Sequence, residues 1–195
     1  RRYTIEVTGE EAHAGTTPLK LRKDAMKAAA AIVLALEQAF EAPTDTVRYT
    51  VGRFEVFPGS PNTVPGRVFF TIDFRHPDRT TLTTLTDKIE SIAKANARGC
   101  DVKVTRISDV SPTPFDPTVI KLVRESAEAL GMPSMEMISG AGHDAMHIAH
   151  LCPTGMIFVP CARGISHNEV ESATPADLSA GTRVLAATLV ELANR

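Results

Sequence analysis

Residues 58–78 read PGSPNTVPGRVFFTIDFRHPD, a turn rich in proline and glycine followed by a run in which every second residue is apolar. This alternation predicts a β-strand with one buried face. The turn displays one amide, Asn62, and the strand carries one guanidinium, Arg75, near its far end. An amide that donates to a carbonyl oxygen and an arginine that binds a carboxylate suit a clamp for a small molecule. A turn-stabilising Asn62 and a surface ion pair of Arg75 are the simpler alternative.

The segments around this stretch predict five further elements of the same domain. Alternating apolar residues indicate strands at 3–7, at 47–56 with a bulge after Gly52, and from Val102 onward. Apolar residues that recur every three or four positions indicate helices at 22–40 and 82–96. The order β-α-β-β-α-β is typical of an α+β ferredoxin-like fold, in which two helices cover one face of a four-stranded antiparallel sheet. We expect this domain to span residues 1–110, followed by a proline-rich linker.

Residues 111–195 alternate helices with short apolar runs. Asp116 and Pro117 are a typical helix start, and a last helix is predicted from Thr174. Short strands are predicted around 135–138 and 156–159, with a helix at about 144–151 between them. The last helix carries leucines along one side: Leu178, Leu185, Leu189 and Leu192. This alternation favours an α/β arrangement with a parallel sheet, but the strands are too few for an independent domain. We therefore expect the closing part of a larger α/β domain, in a chain cut from a longer protein.

Composition favours a soluble globular protein, since 43% of the 195 residues are hydrophobic and 23% are charged. The net charge of −2 and the pI near 6.3 give no electrostatic reason to expect a nucleic acid or an anionic membrane as partner. No apolar run approaches the roughly 20 residues of a membrane-spanning helix. The three cysteines have no metal-binding spacing, which predicts reduced thiols and a cytoplasmic location, with pairing of Cys152 and Cys161 as the alternative.

Histidines are the candidate catalytic and metal-binding side chains. His143, His147 and His150 share helical spacing, but such spacing alone is a weak metal signal. His143 follows glycines at a predicted helix start, where free N–H groups could bind an anion and Asp144 could fix the tautomer of its ring. His167 lies in a loop after a predicted buried strand, where a neutral imidazole is a natural metal ligand.

Five motifs occur in order along the chain: HAGTTP at 13–18, PGSPNTVPG at 58–66, DFRHPD at 73–78, SGAGHDA at 139–145 and MIFVPCARGISHNE at 156–169. Together they resemble the amidase, hydantoinase/carbamoylase family, which includes N-carbamoyl-L-amino-acid hydrolases, β-ureidopropionases and allantoate amidohydrolases. That family belongs to the di-zinc, aminoacylase-like metallopeptidase superfamily. The resemblance covers nearly the whole chain.

The resemblance implies a lid and dimerisation domain over residues 1–110 and the C-terminal part of the catalytic domain over 111–195. It implies a metal-dependent amidohydrolase that cleaves the carbamoyl C–N bond of N-carbamoyl-L-amino acids or related ureido acids. Two divalent metal ions are implied, zinc or else manganese, cobalt or nickel, with His167 as the one ligand supplied here. The other ligands, and the glutamate that activates water, are expected upstream of Arg1, so the chain alone would be inactive.

The resemblance also implies roles for residues of the substrate site. Arg75 would bind the substrate carboxylate, while Asn62 and His13 would hold the carbamoyl oxygen and stabilise the tetrahedral intermediate in the neighbouring subunit of a homodimer. Gly142 and His143 would line the substrate pocket. Two alternatives stay open: a non-catalytic dimerisation module, and an aminoacylase or dipeptidase of the same superfamily.

Overall fold

The computed structural model describes residues 1–41 and 46–194. The chain forms two compact units, Arg1–Pro112 and Thr113–Arg195. The fold is mixed α/β, with an antiparallel sheet in the first unit. No helix in the described ranges is long and apolar enough to cross a membrane.

The described part of the first unit contains six strands, three α-helices and a short 3-10 helix at Leu19–Leu21. The strands are β1 (Arg2–Thr8), β2 (Ala12–His13), β3 (Arg48–Phe57), β4 (Thr63–Val64), β5 (Arg67–Arg75) and β6 (Asp101–Ser108). The helices are α1 (Ala25–Phe40), α2 (Arg79–Thr86) and α3 (Ile89–Ala95). Four strands form an antiparallel sheet in the order β3-β5-β1-β6, and β2 pairs with β4 in a separate two-stranded sheet.

One face of the four-stranded sheet forms the core of the first unit. The central strands β1 and β5 bury every second side chain on this face: Tyr3, Ile5, Val7, Val68, Phe70, Ile72 and Phe74. Helix α1 packs its apolar stripe against them: Ala25, Ala28, Ala29, Ile32, Leu36 and Phe40. The Phe40 ring lies 4.8 Å from the Phe74 ring, centroid to centroid, in an edge-to-face contact that holds the end of α1 on the sheet. The alternation predicted for β5 is thereby confirmed.

The bulge predicted after Gly52 is also confirmed. The pairing of β3 with β5 shifts register between Val51 and Arg53, so that Val51 lies opposite Ile72 and Arg53 opposite Thr71. An extra residue in one strand reverses the parity of all side chains beyond it. This reversal explains why the apolar pattern changes within a single ten-residue strand.

Helix boundaries differ from the predicted ones. Helix α1 begins at Ala25 because the Asp24 side chain accepts hydrogen bonds from the N–H groups of Met26 and Lys27 and caps the helix. The helix predicted at 82–96 is divided into α2 and α3, because the Lys88 N–H donates to the carbonyl of Leu85, three residues back, at 3.2 Å. Pro43, which follows α1 in sequence, lies outside the described residues.

The described part of the second unit contains α4 (Pro117–Ala129), α5 (Ala145–Ile148) and α6 (Pro175–Ala193). Asp116 caps α4 and Pro117 is its first residue, as predicted. Helices α4 and α6 pack on each other, and their buried residues include Val119, Leu122, Ala127 and Val184. A Cβ on Gly155 would lie 2.8 Å from Cγ1 of Val119, and one on Gly181 would lie 2.5 Å from Cγ1 of Val159, so the segment 155–159 lies close to both helices.

The strands predicted at 135–138 and 156–159 are wrong, since neither segment carries a β-ladder. A strand needs a neighbour that accepts and donates its backbone hydrogen bonds. No strand occurs among the described residues of the second unit, so an apolar run there has no such neighbour. Met135 and Ile138 stay 82% and 66% exposed. The parallel sheet expected for this unit is therefore not formed by the described residues.

The helices of the second unit also differ from expectation. The helix expected at 144–151 is limited to the four residues of α5, after which the chain continues as a turn. The predicted leucine side of α6 stays largely exposed, with Leu178 at 52% and Leu189 at 56%. The face of α6 that packs instead carries Val184 and Thr188. Periodicity shows that a helix has an apolar side, whereas the available neighbour decides which side is covered.

Candidate functional site

The two-stranded sheet brings two predicted site residues together. Strand β2 pairs with β4 so that His13 lies opposite Thr63. The Ala14 N–H donates to the backbone carbonyl of Asn62 at 2.9 Å. His13 and Asn62, which are 49 positions apart in sequence, therefore lie beside each other, and both side chains are exposed. Strands of two residues are too short to show alternation, so β2 was not among the predicted strands.

Two glycines permit this close approach. The Gly9 N–H donates to the Gly66 carbonyl at 2.7 Å. A Cβ on Gly9 would lie 2.0 Å from the carbonyl oxygen of Lys23, and a Cβ on Gly66 would lie 2.6 Å from Cγ of Glu11. Any side chain at either position would push the backbone segments apart. The glycines thus allow the segment before His13 to cross the end of the turn that carries Asn62.

Arg22 stabilises the loop that contains His13. Its Nε donates to the Thr17 carbonyl at 2.9 Å, and its Nη2 donates to the Ala14 carbonyl at 2.6 Å. A guanidinium that spans two backbone carbonyls holds the loop in one conformation. Arg22 lies four residues after the HAGTTP motif, and its role was not apparent from sequence spacing.

The ring of His13 presents a hydrogen-bond donor to solvent. The Gly15 N–H donates to Nδ1 of His13 at 3.0 Å. Because Nδ1 accepts this hydrogen bond, the neutral ring carries its proton on Nε2. His13 can therefore donate from Nε2 to an oxygen of a bound molecule.

The amide of Asn62, like the ring of His13, has its acceptor atom engaged by a neighbouring residue. Its Oδ1 accepts a hydrogen bond from the Ser60 hydroxyl at 2.7 Å. With Oδ1 engaged by Ser60, the NH2 group of Asn62 provides two donors for a further partner. The turn-stabilising interpretation of Asn62 and the clamp interpretation are therefore compatible, since Ser60 fixes the amide while leaving it exposed.

Arg75 is held by a neighbouring carboxylate. Its Nε donates to Oδ1 of Asp73 at 2.8 Å, and its Nη2 donates to Oδ2 at 2.9 Å. This bidentate hydrogen bonding holds the pKa of Asp73 below its usual value and raises that of Arg75. The Arg75 side chain stays 42% exposed. The ion pair considered as the simpler alternative is present, within a single strand and on one face of the sheet.

Arg75 does not meet His13 and Asn62 within one copy of the chain. The turn with Asn62 precedes β5, whereas Arg75 is the last residue of that strand. The nine residues of β5 are joined by eight steps of ~3.3 Å, which separate the strand ends by roughly 26 Å. The clamp expected from residues 58–78 is thus divided into two clusters at opposite ends of β5.

The residues expected to line the pocket in the second unit, Gly142 and His143, are exposed. The Ala145 N–H donates to Nδ1 of His143 at 3.1 Å, so this amide, rather than the expected Asp144, sets the ring tautomer. Helix α5 has four residues, too few for the aligned peptide dipoles of an anion site. The anion site expected at this helix start is therefore not supported.

His167 has a backbone conformation that is uncommon outside glycine. Its φ is +56°, and its N–H donates to Oε2 of Glu171 at 2.8 Å. Such conformations often occur at functional sites, where surrounding contacts hold them. The hydrogen bond from the His167 N–H to Glu171 holds the loop backbone, while the side chain of His167 stays exposed.

No metal centre is assembled by the described residues alone. In the ranges 1–41 and 46–194, no group of three or more His, Cys, Asp or Glu side chains could hold an ion. His147 and His150 are exposed, and α5 ends at Ile148, before His150. The helical metal face considered for them is therefore not formed.

The sequence was compared with protein families. The profile of peptidase family M20/M25/M40 matches residues 4–191. The chain belongs to this family. The membership agrees with the resemblance carried by the five motifs.

Individual members of the family include amidohydrolases. An N-carbamoyl-L-amino-acid amidohydrolase of Paenarthrobacter aurescens is 39% identical over 187 residues, which cover 95% of this chain and 45% of that protein. An allantoate amidohydrolase of Escherichia coli (strain K12) is 36% identical over 195 residues, which cover 99% of this chain and 47% of that protein. The resemblance to the hydantoinase/carbamoylase amidases is confirmed.

A solved structure supports the same relationship. The crystal structure of an amidase of the hydantoinase/carbamoylase family from Burkholderia multivorans matches with a TM-score of 0.90 and 43% identity. The match covers 98% of this chain and 47% of that chain. The chain thus spans about half the length of the M20 relatives that it matches.

Proposed function

We propose that the chain supplies the substrate-binding lid and the closing part of the catalytic domain of a metal-dependent amidohydrolase. The enzyme cleaves the carbamoyl C–N bond of N-carbamoyl-L-amino acids or related ureido acids. The observation that carries the proposal is the β2–β4 pairing, which brings His13 and Asn62 together as exposed donors. Relatives named N-carbamoyl-L-amino-acid and allantoate amidohydrolases support this substrate class.

The donors of His13 and Asn62 suit the developing charge of the reaction. Attack of water on the carbamoyl carbon moves negative charge onto the carbonyl oxygen. Donors aimed at that oxygen stabilise the transition state more than the ground state, because the charge is larger there. The acceptor atoms of both residues are already engaged by Gly15 and Ser60, so they offer their N–H groups to the substrate.

Arg75 is proposed to bind the substrate carboxylate. A guanidinium recognises a carboxylate through two parallel hydrogen bonds. Arg48 lies directly opposite Arg75 in the β3–β5 pairing, which adds a second cationic residue at this end of the sheet. Binding the carboxylate there positions the carbamoyl group relative to the other reacting groups.

The proposed enzyme uses divalent metal ions, which lower the pKa of bound water and polarise a carbonyl group when present. The described residues do not build such a site, since His167 is the single ligand proposed among them. A catalytic zinc usually has three protein ligands. We therefore propose that the remaining ligands come from parts of the enzyme that correspond to the unmatched half of its relatives. Gly142 and His143 are proposed to line the substrate pocket.

The first unit is proposed to be a ferredoxin-like lid. The strand order β3-β5-β1-β6 and the packing of helices on one sheet face support this assignment. A small ureido acid is far shorter than the roughly 26 Å between the two ends of β5. A second copy of the chain, in a homodimer, would bring His13 and Asn62 of one subunit to the Arg75 of the other.

Subunit mixing tests the shared site. Asn62→Ala and Arg75→Ala variants of the full-length protein, co-expressed with different tags and purified through both, are expected to regain about half of the wild-type activity. One of the two sites in such a heterodimer has both residues intact. The control pair, Asn62→Ala with His13→Ala, alters one cluster and should remain inactive. Equal activity of both pairs would contradict a shared site.

The reaction itself is tested by product analysis. The full-length protein with added Zn²⁺ or Mn²⁺ is expected to release ammonia from N-carbamoyl-L-amino acids, and a chelator should abolish the release. N-acetyl-L-amino acids and dipeptides are the matched substrates for an aminoacylase or a dipeptidase. Faster hydrolysis of either would favour those alternatives. Failure to cleave all three, with metal bound and the fold intact, would favour a dimerisation module.

A further inference from the structure

Asp73 contacts two arginines on the exposed face of the four-stranded sheet. Its carboxylate accepts the two hydrogen bonds from Arg75, and its Oδ2 also accepts one from Nε of Arg2 at 3.0 Å. Arg2 and Asp73 are direct partners in the β1–β5 pairing. The Asp73 side chain is 21% exposed, against 60% for Arg2. Asp73 is therefore the least exposed member of this triad and lies between its two cations.

We infer that Asp73 is a positioning residue that orients the Arg75 guanidinium for the substrate carboxylate, an inference that rests on the proposed function. Asp73 occupies the edge of the guanidinium formed by Nε and Nη2. A planar guanidinium with one edge held cannot rotate freely, so the direction of its other N–H groups is set. An arginine fixed in this way loses less conformational entropy when a ligand binds.

The same contact admits an opposite effect. A carboxylate on Arg75 could compete with the carboxylate of the substrate. The sheet geometry favours positioning, because Asp73 is anchored from β1 by Arg2 and is bound along one edge of Arg75. The two effects predict changes of opposite sign in KM when the charge of Asp73 is removed.

The test uses Asp73→Asn in the full-length enzyme, with an N-carbamoyl-L-amino acid and with its carboxamide analogue, which lacks the carboxylate. Asp73→Asn keeps the shape of the side chain and removes its charge. We expect KM for the carboxylate substrate to rise roughly 10-fold, with kcat changed less than threefold and the carboxamide substrate unaffected. A lower KM would overturn the inference in favour of competition. An unchanged KM, or an equal rise for both substrates, would also overturn it.

A double-mutant cycle separates this inference from the proposed function. In an Arg75→Ala background, Asp73→Asn should add no further rise in KM, because its effect acts through Arg75. Additive effects would show that Asp73 acts elsewhere. If Arg75→Ala raises KM while Asp73→Asn does not, only the positioning role fails. If Arg75→Ala leaves KM unchanged, its proposed carboxylate role fails, and the positioning role with it.

Glu6→Gln is the matched control. Glu6 lies on the same sheet face and pairs with Arg67 at 3.1 Å, away from Arg75. The substitution removes one carboxylate from an equivalent cross-strand pair without touching the triad. Its KM should equal that of the wild type. Thermal unfolding of both variants should show that they are folded under the assay conditions.

Discussion

Replacement of Asn62 by alanine is expected to lower kcat on an N-carbamoyl-L-amino acid by roughly 10²- to 10³-fold, with a smaller change in KM. The amide of Asn62 donates to the carbonyl oxygen most strongly when that oxygen gains charge in the transition state. Ser60 holds Oδ1 of this amide, so the lost donors are preorganised ones. Steady-state ammonia release by the full-length enzyme measures the effect.

Asn194→Ala is the control for this substitution. Asn194 is an exposed asparagine whose amide donates to the Val190 carbonyl at 2.8 Å at the end of α6. Asn194→Ala removes the same amide group outside the proposed site, so kcat should be unaffected. A fall in kcat of less than tenfold for Asn62→Ala would contradict a direct role in stabilising the oxyanion.

Replacement of Arg75 by alanine is expected to raise KM for carboxylate substrates roughly 10- to 100-fold, since charge-assisted hydrogen bonds to the substrate are lost. The loss should appear mainly in KM, because the substrate carboxylate keeps its charge throughout the reaction. Kinetics on a substrate whose carboxylate is replaced by a carboxamide should show little difference between variant and wild type.

Arg67→Ala is the control for Arg75→Ala. Arg67 is at the other end of the same strand, carries the same charge and pairs with Glu6. Both substitutions remove an arginine from an ion pair on the exposed sheet face, so their effects on stability should be similar and small. Equal kinetic effects of Arg67→Ala and Arg75→Ala would contradict the proposal that Arg75 binds the substrate carboxylate.

Much of the first unit could be predicted from sequence because its signals are local. Each central strand has one face in the core, so apolar residues alternate along it, and the shift at Gly52 predicts the bulge. In the second unit, the predicted N-cap at Asp116 likewise acts within three residues of its own helix, whereas the cap at Asp24 was not predicted. Helix boundaries were predicted less accurately, as the division between α2 and α3 illustrates. A single hydrogen bond that reaches three residues back instead of four does not change the spacing of apolar residues.

The errors in the second unit have a different cause. An apolar run such as 156–159 is typical of a buried strand, but a β-ladder depends on a neighbouring strand. The segment itself has no information about that neighbour. The exposed leucines of α6 illustrate the same limit, since a helix face is covered only where another element packs on it.

The sequence by itself determined the family, through five ordered motifs, and the residue types of the candidate site: a histidine, an amide and an arginine. Only the tertiary structure decided how these are grouped. The glycines at 9 and 66 let two distant backbone segments approach, which joins His13 to Asn62. The length of β5 separates His13 and Asn62 from Arg75, although Asn62 and Arg75 lie in the same short stretch of sequence, residues 58–78. Sequence proximity sets the chain distance between residues, whereas the extended strand and the pairing of backbones set their distance in space.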